Sequence, residues 1–176
     1  MSIKPNEKVP SFSLEGILDG KQKRFQLSDF QKEWVVLFFY PADFTFVCPT
    51  EILGFEKRHK EFKDANANII GISVDDTKSH LAWIKEIGEI SYPLLSDTNR
   101  AISNKYGVLN LKENRAYRAT FIISPEGMLA YSSISPMNVG RSVDDILRVL
   151  KALQTGRLCP ADWKPGEETL NASLPD

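Results

Sequence analysis

Seven consecutive apolar residues, from Trp34 to Tyr40, run directly into Pro41, and that junction constrains the chain more than any other stretch. An unbroken run of β-branched and aromatic side chains at this length reads as a central strand buried on both faces. Pro41 ends it. Ala42-Asp43-Phe44 and Thr45 follow, then Cys48 with Pro49, Thr50 and Glu51 behind it, and from Ile52 the pattern turns helical. A cysteine therefore stands where a buried strand hands over to a helix. The first helical turn presents unpaired amide hydrogens and the positive end of the macrodipole, so a thiolate is favoured there over a thiol. Cysteine pKa values fall from about 8.5 toward roughly 3.5 to 7.5 in such settings, and the thiolate is the reactive form. Pro49 suits the first turn, where no intrahelical amide bond is lost. The Thr45 hydroxyl, three residues earlier, can reach the sulfur's neighbourhood or cap the helix, and Glu51 shares the face of Cys48. A free cysteine also reads, more blandly, as a small buried hydrophobe.

The ordered set Pro41, Thr45, Cys48 resembles the Pro-x-x-x-Thr/Ser-x-x-Cys signature of the peroxiredoxins. The longer stretch Phe-Phe-Tyr-Pro-Ala-Asp-Phe-Thr-Phe-Val-Cys-Pro-Thr-Glu is similar to typical two-cysteine members, in particular the bacterial alkyl hydroperoxide reductase C subunits.

The chain has 176 residues, an ordinary balance of apolar and charged side chains and a formal net charge of -1. That suits one domain with a sizeable core, and it argues against nucleic acid or a membrane surface as a principal partner. The N-terminus lacks an apolar signal core, so a cytoplasmic location is expected. Its two cysteines, Cys48 and Cys159, do not suggest a structural staple in such a compartment. Neither Cys-x-x-Cys, nor zinc spacing, nor a Gly-rich phosphate loop occurs, so no cofactor or metal is expected. His59 and His80 are expected on exposed helix surface.

In chain order, an extended stretch at 11–14, a turn at Asp19-Gly20 and a second stretch at 23–27 predict a hairpin. A brief helical turn is expected at 28–30. After the strand at 34–40 an amphipathic helix with Ile52, Phe55, Phe62 and Ala65 inward should end near Asn66. Residues 68–75 predict a second buried strand parallel to the first, since a helix crosses between them. A helix at 76–88 with Leu81, Ile84 and Ile87 inward, a short strand at 92–97, a helix at 99–106, strands at 118–124 and 128–133, and a helix at 143–153 complete the pattern. The fold class is α/β, a thioredoxin-like mixed central β-sheet flanked by helices. Residues 1–156 form the domain, and the breaker-rich segment 157–176 is a C-terminal arm.

Peroxide cleavage needs a thiolate, groups that polarise the O–O bond, and a cation. Cys48 supplies the thiolate as peroxidatic nucleophile, and Thr45 with nearby backbone amides acts on the O–O bond. Arg118, in Tyr-Arg-Ala-Thr-Phe-Ile-Ile, stands where the resembled family carries its catalytic arginine. Pro41 shields the sulfur, and Glu51 holds Arg118 or a partner in place. Cys159, in Leu-Cys-Pro-Ala-Asp-Trp-Lys-Pro-Gly, resembles the family's resolving cysteine. The resemblance thus implies an interchain Cys48–Cys159 disulfide, a homodimer, and a reductant such as thioredoxin or a dedicated flavin-dependent disulfide reductase. It also implies dimers joined into a ring, usually a decamer, at exposed apolar side chains around Phe44, Phe46 and Trp83.

An oligomeric holdase chaperone or redox-signalling partner on the same scaffold is the alternative from another class. A disulfide oxidoreductase needs paired vicinal cysteines, and a cysteine phosphatase needs Arg where Gly54 stands. Two departures from the resembled pattern stand out. The connection at 153–158 is a few residues short. Gly-Gly-Leu-Gly is missing near 84–94, as is Tyr-Phe from the tail at 173–176, and both absences resemble the overoxidation-resistant bacterial type.

Overall fold

The structure, a computed structural model, describes residues 3–171; the tail at 173–176 lies outside them. The chain divides into two compact units, Met1–Arg141 and Ser142–Asp176.

The first unit is built on a seven-stranded sheet. Its strands are β1 (Ser13–Leu18), β2 (Lys21–Gln26), β3 (Trp34–Phe39), β4 (Ala67–Ser73), β5 (Leu94–Ser96), β8 (Arg118–Ile123) and β9 (Leu129–Ser135), in the spatial order β2-β1-β5-β4-β3-β8-β9. The remaining two strands, β6 (Leu109–Asn110) and β7 (Arg115–Ala116), form a small hairpin of their own. The apolar run beginning at Trp34 lies deep in the sheet, parallel to β4 and antiparallel to β8. Val36 through Tyr40 are fully shielded from water, as a strand covered on both faces requires. One face of β3 (Val35, Leu37, Phe39) joins Ile70, Ile72, Phe121 and Ile123 in a core that Tyr106 also enters. The other face meets α1 (Cys48–Asp64), where Phe55 stacks on Phe38 with ring centroids 4.4 Å apart. Gly71 of β4 is required beneath that stack. A β-carbon there would lie 2.8 Å from the Phe38 ring and 2.7 Å from Leu94, closer than packed atoms approach.

The expected hairpin is present, with its first strand at 13–18 rather than 11–14. Its turn uses Asp19 and Gly20, both at positive φ, the two-residue geometry that matches strand twist. A 3-10 turn follows at Leu27–Phe30. α1 ends within two residues of the expected position.

α2 (Thr77–Ile87) departs from the reading of its apolar face. It buries His80 and Trp83, while Leu81, Ile84 and Ile87 are only partly covered. Apolar spacing pointed to the wrong stripe because a buried polar residue can face the core when its partners are built in. His80 is not exposed but fully buried, its Nδ1 2.8 Å from the Asp43 carboxylate. His59 is partly buried against the Tyr92 ring. Trp83 is also covered, at 1% exposure, stacked on Tyr40. Phe44 and Phe46 are exposed, at 54% and 98%. α3 is a short helix, Ala101–Lys105.

In the second unit, α4 (Val143–Gln154) is capped by the Ser142 side chain, which accepts from the Asp145 amide. Val143, Ile146, Leu147 and Leu150 are buried on one stripe, with Val149 partly covered. The arm is more ordered than its breakers suggest. Leu170 N–H donates to the Leu158 carbonyl at 2.8 Å and closes a loop. Inside it the Trp163 indole N–H donates to the Glu167 carbonyl at 3.1 Å.

Candidate active site

Cys48 is the first residue of α1 and is wholly buried. β8 runs antiparallel to β3 with Phe39 opposite Ala119, so the next pair outward sets Arg118 beside the end of β3. From there Arg118 Nη1 donates to Cys48 Sγ at 3.3 Å and to Glu51 Oε2 at 2.6 Å, while its Nε donates to the Met137 carbonyl at 2.7 Å. Arg118 and Glu51 are both almost wholly buried.

Glu51 grips a second arginine that the sequence reading missed. Arg141 donates to Glu51 Oε1 from both its backbone N–H and its Nε, each at 2.9 Å. It also reaches the Phe39 carbonyl at 2.6 Å, the Ala119 carbonyl at 2.8 Å and Thr120 Oγ1 at 3.1 Å, and its guanidinium sits 5.1 Å above the Phe38 ring. Burial pulls the Arg141 pKa down, and the neighbouring Glu51 carboxylate opposes that shift. Nothing local in Gly140-Arg141-Ser142 marks the residue. The one available signal is an arginine in a loop directly before a helix.

Pro41 is buried directly after the strand. Thr45 does not cap α1: the N-cap is Val47, with no side-chain bond. The Thr45 hydroxyl donates to the Ala42 carbonyl at 3.0 Å, which commits its only proton and leaves its oxygen free to accept. Cys159, in the second unit, is partly buried, its Sγ 3.4 Å from Thr155 Oγ1 and 3.7 Å from the Ala152 carbonyl.

A cavity of about 610 Å³ lies elsewhere, between the β1–β2 turn and residues of α1 and α2, lined by Ile17, Glu56, Ile84 and Lys85 among others and not by Cys48. Among the described residues no cluster of His, Cys, Asp and Glu could hold a metal ion, and no helix is long and apolar enough to cross a membrane.

A mixed sheet flanked by helices, with a buried cysteine at a helix start facing an arginine, defines a thiol-dependent peroxidase of the thioredoxin-like class. Residues 5–132 match the AhpC/TSA family, and residues 152–175 match the C-terminal domain of 1-Cys peroxiredoxin. The chain belongs to this family, the peroxiredoxins. It is 50% identical over 173 residues to the putative peroxiredoxin YkuU of Bacillus subtilis, covering 93% of this chain and 96% of that protein. To the chloroplastic 2-Cys peroxiredoxin BAS1 of Hordeum vulgare it is 46% identical over 174 residues, covering 93% and 83%. Its fold superposes on reduced 2-Cys peroxiredoxin of Plasmodium vivax with a TM-score of 0.91 at 37% identity, over 94% of this chain and 91% of that one. Against Enterococcus faecalis AhpC the TM-score is 0.86 at 35% identity, over 91% and 100%.

Proposed function

We propose that this peroxidase reduces hydrogen peroxide and small organic hydroperoxides to water and alcohols through Cys48, with Cys159 of a partner subunit as the resolving thiol. The observation that carries the reading is the charge balance around Cys48. Two buried guanidiniums, Arg118 and Arg141, face one carboxylate, Glu51, and the surplus positive charge is met when the Cys48 sulfur is a thiolate.

The thiolate attacks one peroxide oxygen, the O–O bond breaks, and the other oxygen leaves with a proton as water or alcohol. Arg118 N–H groups stabilise charge on the reacting oxygens. Thr45, its proton held by Ala42, accepts a hydrogen bond from the peroxide O–H, and Pro41 keeps water from the sulfur. Glu51 orients Arg118. The Cys48 sulfenic acid then condenses with the Cys159 thiol, releasing water and forming an interchain disulfide. A reductant such as thioredoxin or a flavin-dependent disulfide reductase returns both thiols by supplying two electrons.

The assembly reading has its own support. β9 is an edge strand that exposes Ile134, and Val139 beyond it is half exposed, so pairing with a second copy satisfies the edge and covers these side chains. Phe44 and Phe46 offer a further apolar patch for joining dimers into a decameric ring. We take residues 1–156 as the peroxidase domain, residues 157–176 as the resolving arm and the cytoplasm as the location.

Peroxide consumption by wild type and by Cys48→Ser tests the nucleophile. Mixing Cys48→Ser with Cys159→Ser subunits tests resolution: a peroxide-induced disulfide between the two kinds of subunit is expected. A disulfide confined to single wild-type chains would overturn the interchain step.

A further inference from the structure

Asp43 lies in the loop between β3 and α1, two residues before Thr45, and is 5% exposed. Its carboxylate is fully engaged. The Tyr40 hydroxyl donates to Oδ1 at 2.9 Å, the Ser79 hydroxyl donates to Oδ2 at 2.7 Å, and His80 Nδ1 is 2.8 Å from the same oxygen. His80 Nε2 faces the Leu95 carbonyl at 3.1 Å. A carbonyl only accepts, so Nε2 is the donor in that bond. The Asp43 backbone N–H donates to Asp75 Oδ2 at 2.9 Å, and that oxygen also accepts from the Ser73 hydroxyl at 2.7 Å. The end of β3, the segment after β4 and the first turn of α2 thus converge on one loop residue.

The neighbours of Asp43 in the loop make no comparable hydrogen bonds to other elements, although the Phe44 ring lies against Trp83 with centroids 6.4 Å apart. Phe44 takes a left-handed backbone with φ 53°, uncommon for a bulky side chain. Phe46 is 98% exposed. The Thr45 hydroxyl bonds back to Ala42, inside the loop itself. The hydrogen bonds that tie this loop to the rest of the fold are therefore those at Asp43, two residues from Thr45.

We propose that Asp43 is a positioning residue for peroxide reduction: its buried bonds to Tyr40, Ser79 and His80 hold the loop so that the Thr45 hydroxyl meets the peroxide beside Cys48. This rests on the peroxidase reading above. Asp43 touches neither peroxide nor sulfur and acts through Thr45, whereas the Arg118–Glu51–Arg141 cluster approaches the sulfur from β8 and the loop after β9.

Two reactions of Cys48 separate these contributions. Thr45 serves the peroxide alone, while alkylation by iodoacetamide reads the thiolate without it. The full-length Asp43→Asn, Thr45→Val and double variants are compared by stopped-flow oxidation with hydrogen peroxide and by alkylation, with Cys48→Ser as the blank. Asp43→Asn and Thr45→Val are each expected to slow oxidation about tenfold or more, and the double variant to stay within about twofold of Thr45→Val alone. Alkylation in Asp43→Asn should remain within about twofold of wild type. Ser79→Ala, which removes one donor and keeps the carboxylate, should slow oxidation about threefold in wild type and not at all on top of Thr45→Val; it serves where Asp43→Asn does not fold. Factors that multiply, or alkylation that slows as much as oxidation, would overturn the anchor and leave the peroxidase reading intact. Wild type that consumes peroxide no faster than Cys48→Ser would overturn both.

Discussion

Arg118 Nη1 stands 3.3 Å from Cys48 Sγ across a sequence separation of 70 residues. The same nitrogen bonds Glu51 at 2.6 Å, so the cation that faces the sulfur is itself held by a carboxylate one turn further along the helix that Cys48 begins.

Arg118→Ala removes both bonds. Peroxide oxidation of Cys48 is expected to slow at least about tenfold, each tenfold corresponding to about 1.4 kcal/mol of barrier. Arg118→Lys should recover little of it, because a single ammonium cannot serve Met137, Glu51 and Sγ from one planar fork. Stopped-flow oxidation measures the rate, and an unchanged oxidation rate in Arg118→Ala would refute the assigned role.

Glu51 is the carboxylate partner of two buried guanidiniums, so its loss strands both. Glu51→Ala should lower the unfolding free energy by about 3–5 kcal/mol, the usual consequence of leaving buried charges unpaired. Urea unfolding of the reduced protein reads it, and a change below about 1 kcal/mol, the scale of a surface pair, contradicts the pairing.

On the proposed assembly, two surfaces make separable predictions. Ile134→Lys on the β9 edge is expected to weaken the dimer, since a charge on an edge strand opposes strand addition. Phe46→Asp should leave dimers and remove larger rings. Sedimentation velocity of the reduced protein distinguishes the two, and dissociation of dimers by Phe46→Asp but not by Ile134→Lys would reverse the assignment.

Tyr40, Tyr92 and Tyr106 have phenolic pKa values raised above the ordinary value of 10, chiefly by burial. The unfolded chain releases these protons from about pH 10, whereas the folded chain retains them. The stability they contribute is therefore complete below pH 10 and is lost as the pH rises through the folded values. Absorbance at 295 nm should show these three ionising only with unfolding, and their reversible ionisation in the folded protein would contradict the burial.

Disulfide formation requires Cα atoms within about 7 Å, and a sulfur wholly buried at a helix start cannot meet another chain's arm in place. On the proposed mechanism the first turn of α1 and the arm at 158–164 open on oxidation. Hydrogen exchange should fall in protection at 46–51 and at 158–164 in the disulfide form. Equal protection in both forms would rule out local unfolding.

The sequence by itself determined the central strand, the helix start at Cys48 and nearly the whole order of elements. Each rests on short-range chemistry: an apolar run too long to alternate, a proline that stops it, and helical spacing after it. It also marked Cys48, Glu51 and Arg118, the first two by local position and Arg118 by the segment it heads. The tertiary structure alone decided that Arg118 meets the sulfur, since the register of β3 with β8 is a long-range pairing that no local pattern encodes. It alone brought in Arg141, whose loop carries no distinguishing spacing, and turned the Thr45 hydroxyl toward Ala42 rather than toward a helix cap. The same cause explains His80 and Trp83. Spacing along α2 counts apolar residues, but which stripe is buried depends on what faces it, and here the Asp43 carboxylate, supplied from another part of the chain, makes burial of a histidine favourable.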